Sequence, residues 1–185
     1  VCGYMLASNL TAASINYYLL EDVGIPYSMI WTINLTYTVF LIALQPLVRK
    51  FIRRIGWFKT FGIGLLLGVP FWLMHGFVNA QNYLWLFLIV RISQHVCGVF
   101  QNMTYANMPY INLPPADQTN FMSFYTLASN CAAFLGMMVG TWFIALTGNT
   151  SGITLFGVHL GSVQMLLCIE GIAFLALALT VLLRA

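Results

Sequence analysis

Residues 83–108, YLWLFLIVRISQHVCGVFQNMTYANM, decide how this chain folds. The stretch opens with an apolar block that runs to Val90 and then mixes Arg91, Gln94, His95, Gln101 and Asn102 into further apolar residues. Arg91, His95, Gly98, Asn102 and Tyr105 recur at steps of four, three, four and three, which puts them on one face of a helix. A helix that crosses the roughly 30 Å hydrocarbon layer needs about 20 mostly apolar residues, and this run supplies them. It shows no alternation of period two, so a membrane-spanning strand is excluded.

Working outward, five more runs have the same character, and together the six predict helices at about 1–20, 27–48, 60–78, 83–108, 119–147 and 158–183. Of the 185 residues, 61% are hydrophobic and 6% charged, with a mean hydropathy of +0.87. A water-soluble domain carries roughly 25% charged residues, so the surface of this protein faces lipid. The expected fold is an all-α membrane protein, a six-transmembrane-helix bundle forming a single domain over residues 1–185.

Charge placement predicts orientation. Arg49, Lys50, Arg53, Arg54 and Lys59, five of the seven basic residues, lie between the second and third helices. Cytoplasmic loops collect Lys and Arg. Loop 49–59, segment 109–118 and the C-terminus with Arg184 are therefore expected inside the cell, and Glu21, Asp22, 79–82 and 148–157 outside. The protein reads as a multi-pass resident of the cell membrane. Its net charge of +3 suits anionic lipid headgroups better than nucleic acid.

Cys2, Cys97, Cys131 and Cys168 all fall in predicted helices without metal-type spacing, and read as buried apolar thiols. Neither a metal nor another cofactor is expected. The chain opens at Val1 inside an apolar run, which reads as a fragment lacking an N-terminal six-helix half.

Polar side chains are costly in lipid, so their placement carries information. With about 1.5 Å of rise per residue, Arg91 sits roughly 12 Å below the outer boundary and His95 roughly 18 Å below it. An unpaired Arg at that depth costs at least about 2.5–3.5 kcal/mol, so it requires a wet cavity or an acidic partner. Gln94 flanks the stripe. Matching faces occur on the second helix (Tyr27, Trp31, Asn34, Thr38, Gln45), the first (Asn9, Asn16) and the fifth (Thr119, Ser123, Thr126, Asn130). Glu170 is the one acid at membrane depth, placed to pair with Arg91 or His95 or to titrate in ion coupling. Gly64 with Gly68 and Gly136 with Gly140 have the spacing that lets helix backbones approach.

The run Gln45-Pro46-Leu47-Val48-Arg49-Lys50-Phe51-Ile52-Arg53-Arg54-Ile55-Gly56-Trp57-Phe58-Lys59 resembles the basic loop that joins the second and third helices of each half of major facilitator superfamily transporters. Arg49 and Arg53 stand where that loop usually carries Gly and Asp, while Arg54, Gly56 and Lys59 keep the pattern. The run 107–121 is similar to the loop between the fourth and fifth helices in bacterial members, with Gln118 in place of a common Arg. The resemblance covers nearly the whole chain as the C-terminal half. Two parallel six-helix halves are the architecture it implies. It also implies that the first and fourth helices line a cavity, the second and fifth meet the other half, and the third and sixth are peripheral.

The expected function is alternating-access transport of a small organic solute, as symport, antiport or facilitated movement. Arg91, His95 and Asn102, with Gln94, Asn9, Asn16, Trp31 and Asn34, are the candidate solute contacts, and Glu170 and His95 the candidate coupling groups. Arg91 suits an anionic group; His95 carries a proton near neutral pH. A G-x-x-x-x-G-K-[ST] motif is absent, as are H-E-x-x-H and G-x-S-x-G, which argues against a primary pump and against an enzyme. The alternative is a self-contained six-helix protein that dimerises to form a pore or small transporter.

Overall fold

The computed structural model describes residues 1–111, 113, 117–148, 152–155 and 158–184. Among the described residues, five continuous helices are long and apolar enough to cross a membrane. We name the elements α1 (Cys2–Ser8), α2 (Ile15–Tyr17, continued by a π-helical turn Tyr18–Asp22), α3 (Tyr27–Ile55), α4 (Trp57–His75), α5 (Tyr83–Asn107, with a 3-10 turn Met108–Tyr110), α6 (Gln118–Thr147), β1 (Ile153–Leu155), β2 (Val158–Leu160) and α7 (Ser162–Arg184).

The first expected span departs from the prediction. Instead of one helix over 1–20, the chain forms α1, a run of turns over 9–14, and then α2 with its π turn. The cause is local. Ser8, Asn9, Thr11 and Ser14 cluster here, and such side chains compete with the helix for backbone groups. Asn9 Nδ2 donates to the Met5 carbonyl at 2.8 Å, and Ser14 Oγ to the Thr11 carbonyl at 3.3 Å.

The basic stretch is not a loop. α3 continues through Arg49–Ile55, and the chain reverses at Gly56, whose φ of +85° suits a residue without a Cβ. Cations in the last turn of α3, Arg53 and Arg54, are favourable at that end of a helix. The last helix also begins later than expected. Val158–Leu160 pair antiparallel with Ile153–Leu155, His159 opposite Thr154. The Gly161 amide then donates to Gln164 Oε1 at 2.9 Å, a side-chain cap that starts α7.

The packing order places the site. α4 lies between α5 and α7, α3 leans on α5, and α1 lies on α6. Gly64 makes the α4–α5 approach possible, since a Cβ there would meet the Phe100 Cβ at 2.8 Å. Gly136 and Gly140 do the same for α6 against the Leu6 and Leu10 carbonyls of the broken first span. One apolar core joins Tyr18, Leu19 and Ile25 to Ile30, Phe87 and Val90, and a second joins Tyr4 and Ala7 to Phe61, Leu65 and Phe174. Cys97 is buried, but Cys2 and Cys131 are exposed on the bundle surface, contrary to the buried thiols expected.

Candidate functional site

Arg91 projects from the middle of α5 towards α3. Its Nη2 donates to Asn34 Oδ1 at 2.6 Å and its Nη1 to Gln94 Oε1 at 3.3 Å, while Nε is buried without a partner. Both acceptors are neutral amides. A guanidinium held this way keeps its full positive charge, because partial dipoles orient around it without cancelling it. Asn34 also lines a cavity of about 190 Å³ with Asn16, Leu20, Tyr27, Ile30 and Trp31. The Tyr27 and Trp31 rings meet edge to face at 5.8 Å. The broken first span supplies Asn16 and α3 supplies the rest of the polar wall, and Arg91 of α5 is joined to that wall through Asn34.

One turn along α5, His95 is 7% exposed. Its Nδ1 lies 3.0 Å from Thr36 Oγ1, and its ring meets Tyr37 edge on at 5.7 Å. Further along the same face, Asn102 Nδ2 donates to the Tyr37 hydroxyl at 2.8 Å. The α5 stripe thus meets α3 along its length, with Asn34, Thr36 and Tyr37 as partners. Thr36 and Tyr37 escaped the sequence reading, which followed the neighbouring face through Asn34 and Thr38. The signal that could have found them is the helical spacing of Ile30, Ile33, Tyr37, Leu44 and Val48, which marks the side of α3 turned to α5.

Gln94 faces α4. Its Nε2 lies 3.3 Å from both the Phe71 carbonyl and His75 Nδ1, and the residue is 6% exposed, so it braces Arg91 from behind. His75 is fully enclosed at the end of α4 between Trp72 and Phe87. Asn9 turns back on its own helix.

Glu170 lies apart from Arg91 and His95. It is fully buried on α7, where its Oε2 accepts from Thr11 Oγ1 at 2.7 Å and its Oε1 has no partner. Thr11 belongs to the break in the first span, so the acid holds that break and does not meet the α5 cation. Arg49, Arg53, Arg54, Gly56 and Lys59 gather at the α3–α4 turn, remote from the cavity. A wider groove of about 710 Å³ runs along the polar stripe of α6 past Gln118, Thr119, Ser123, Thr126 and Asn130, but it holds no charged side chain.

Apolar helices of membrane length mark a multi-pass membrane protein, in which the half-buried Arg91 pairs with no carboxylate among the described residues. Residues 1–184 match the Major Facilitator Superfamily, and the chain belongs to it. Among curated proteins it is similar to the staphylopine export protein of Staphylococcus aureus, with 24% identity over 140 residues, 75% of this chain and 33% of that protein. The matched stretch is thus about a third of the relative's own length. No solved structure matches. Membership of this family points to transport and away from enzymatic turnover.

Proposed function

We infer that this chain is the C-terminal six-helix half of a secondary transporter that moves a small anionic organic solute by alternating access. The observation that carries the reading is Arg91, a half-buried cation whose hydrogen-bond partners are the amides of Asn34 and Gln94. An amide-braced guanidinium retains an electrostatic demand that a carboxylate or phosphate on the solute would meet, with the fork geometry suited to two-point contact. Asn16, Trp31 and Asn34 beside the small cavity would contact the rest of the solute. His95 and Asn102 lie farther along the same path.

Glu170 and His95 are the groups we assign to ion coupling. Glu170 presents one unpartnered carboxyl oxygen beside the break in the first span, where a change of charge would alter the contact with Thr11. The basic turn and the C-terminus would face the cytoplasm, since six of the seven cations are collected there. The second half of the transporter would complete the cavity wall.

The test uses the intact transporter in proteoliposomes. Small mono- and dicarboxylates are offered, together with staphylopine, the solute in the name of the similar export protein. Transport of one of these should be abolished by Arg91→Gln and partly kept by Arg91→Lys, with protein insertion unchanged. Undiminished transport in Arg91→Gln would remove the residue from the site and with it the assignment of an anionic solute.

A further inference from the structure

From α3 to α4 a row of polar groups passes through Arg91. Asn34 Oδ1 accepts from its Nη2 at 2.6 Å and Gln94 Oε1 from its Nη1 at 3.3 Å. Gln94 Nε2 in turn lies 3.3 Å from both the Phe71 carbonyl and His75 Nδ1. Phe71 and His75 are four residues apart on α4, so the carbonyl and the ring present neighbouring positions to one amide. His75 is 1% exposed, and its Nε2 has no partner among the described residues. The solute-binding reading gives this imidazole no task.

The direction of each bond follows from its neighbours. A guanidinium only donates, so the Gln94 atom that meets Arg91 is the amide oxygen, and the NH2 group faces α4. One of its hydrogens goes to the Phe71 carbonyl, which only accepts. The other goes to His75, and Nδ1 receives it with a free lone pair. The imidazole is therefore neutral, with its proton on Nε2. A proton on Nδ1 would set donor against donor. Gln94 would then have to turn its oxygen to His75 and its NH2 group to Arg91, losing the bonds to both the guanidinium and the Phe71 carbonyl. The state of one ring nitrogen on α4 thus decides which end of Gln94 the cation meets.

We propose that His75 is a positioning residue for solute binding: its Nδ1 lone pair holds the Gln94 oxygen towards Arg91 and so sets the guanidinium that projects to α3. The inference rests on the reading of Arg91 as the contact for an anionic solute. Packing alone asks something different of this position. The ring stands between Trp72 and Phe87, with centroids 6.3 and 6.1 Å away. A phenyl ring would fill that space as well, without a buried N–H left unpaired. What phenylalanine lacks is the acceptor.

Two variants of the intact transporter separate the roles, with the small carboxylates and staphylopine as solutes in proteoliposomes. His75→Phe keeps the ring and deletes the acceptor. KM should rise about two- to tenfold, the size of one neutral hydrogen bond, with kcat and Tm nearly constant. His75→Asn keeps an acceptor oxygen at the Nδ1 position and deletes the bulk of the ring. Its Tm should fall while KM stays within about twofold of the parent, a change smaller than one hydrogen bond. Because His75 acts through Gln94, His75→Phe should add nothing to the effect of Gln94→Leu. The proton is located without transport, from the nitrogen NMR signals of the ring in detergent, assigned by their loss in His75→Phe. Nε2 should carry it and Nδ1 should not. A proton on Nδ1, an unchanged KM in His75→Phe, an equally raised KM in His75→Asn, or additive effects with Gln94→Leu would each overturn this inference alone. Undiminished transport in Arg91→Gln, or transport of none of these solutes, would instead remove the anionic-solute reading and this inference with it.

Discussion

On one face of α5, Gln101 is 4% exposed and its amide donates to the Gly64 carbonyl at 3.0 Å. On the other face Asn102, the next residue, is exposed and donates to the Tyr37 hydroxyl. The two amides have the same chemistry and opposite roles. Towards α4, glycines let backbones come close, and a polar side chain ends on a carbonyl that cannot move without unwinding a helix. Towards α3, the partners of Arg91, His95 and Asn102 are the side chains of Asn34, Thr36 and Tyr37, which can rotate away. A solute can displace a side-chain partner far more easily than a backbone one. The α4 face therefore holds the bundle together, and the α3 face is where binding is possible.

The sharpest way to break that contrast is to remove one polar group from each face. Arg91→Gln should lower transport by about a hundredfold or more, because a buried charge-assisted contact to solute is worth several kcal/mol when its partner is left unpaired. Gln101→Leu should change transport less than about threefold. Equal losses from both would mean that the two faces are not distinct in function.

The packed face has its own test. A Cβ at Gly64 would meet Phe100 at 2.8 Å and the Gln101 amide nitrogen at 3.4 Å. Gly64→Leu is expected to destabilise the protein by about 3 kcal/mol, the upper range for overpacking, read as a lowered Tm in detergent. Transport per folded molecule should persist at low temperature.

The contact between Thr11 and Glu170 is a third kind of seam, joining the break in the first span to α7. Thr11→Val leaves the carboxyl without its one hydrogen bond and should cost about 1–2 kcal/mol. Thr11→Ser should keep the bond and the stability. Thr11→Val combined with Glu170→Leu should recover much of the loss, since replacing both partners removes the unsatisfied group. If Glu170 couples an ion, that double variant stays folded but loses its response to the ion gradient, which proteoliposome flux measures.

The helices were legible wherever composition alone decides them. α5 and α6 begin and end within a residue of their predicted bounds, because apolar length and the Asn82 and Asp117 boundaries leave little choice. Arg91 and Asn34 could be named as site residues because an ionic or amide group in lipid must find a polar environment. Their meeting across 57 residues could not be read, nor could that of Thr11 and Glu170 across 159. Helical periodicity gives a face to each helix but no rotation of one helix relative to another. The break at 9–14 had a visible cause in Ser8, Asn9, Thr11 and Ser14, but the apolar average across the run outweighed it. In the basic stretch the error ran the other way: charge suggested a loop, while Arg and Lys are good helix formers and let α3 continue to Ile55.

The finest division of the α5–α3 seam is at Tyr37, which touches both His95 and Asn102. Tyr37→Phe keeps the ring against His95 and removes only the hydroxyl that Asn102 donates to. One neutral hydrogen bond is worth about 0.5–1.5 kcal/mol. If Asn102 contacts solute, freeing its amide should shift KM by about two- to tenfold with kcat and Tm nearly constant. If Asn102 serves packing, the same loss should appear in Tm and leave KM alone. The ratio of the two effects therefore locates the inner limit of the binding path along α5, between His95, whose environment the variant preserves, and Asn102, whose partner it removes.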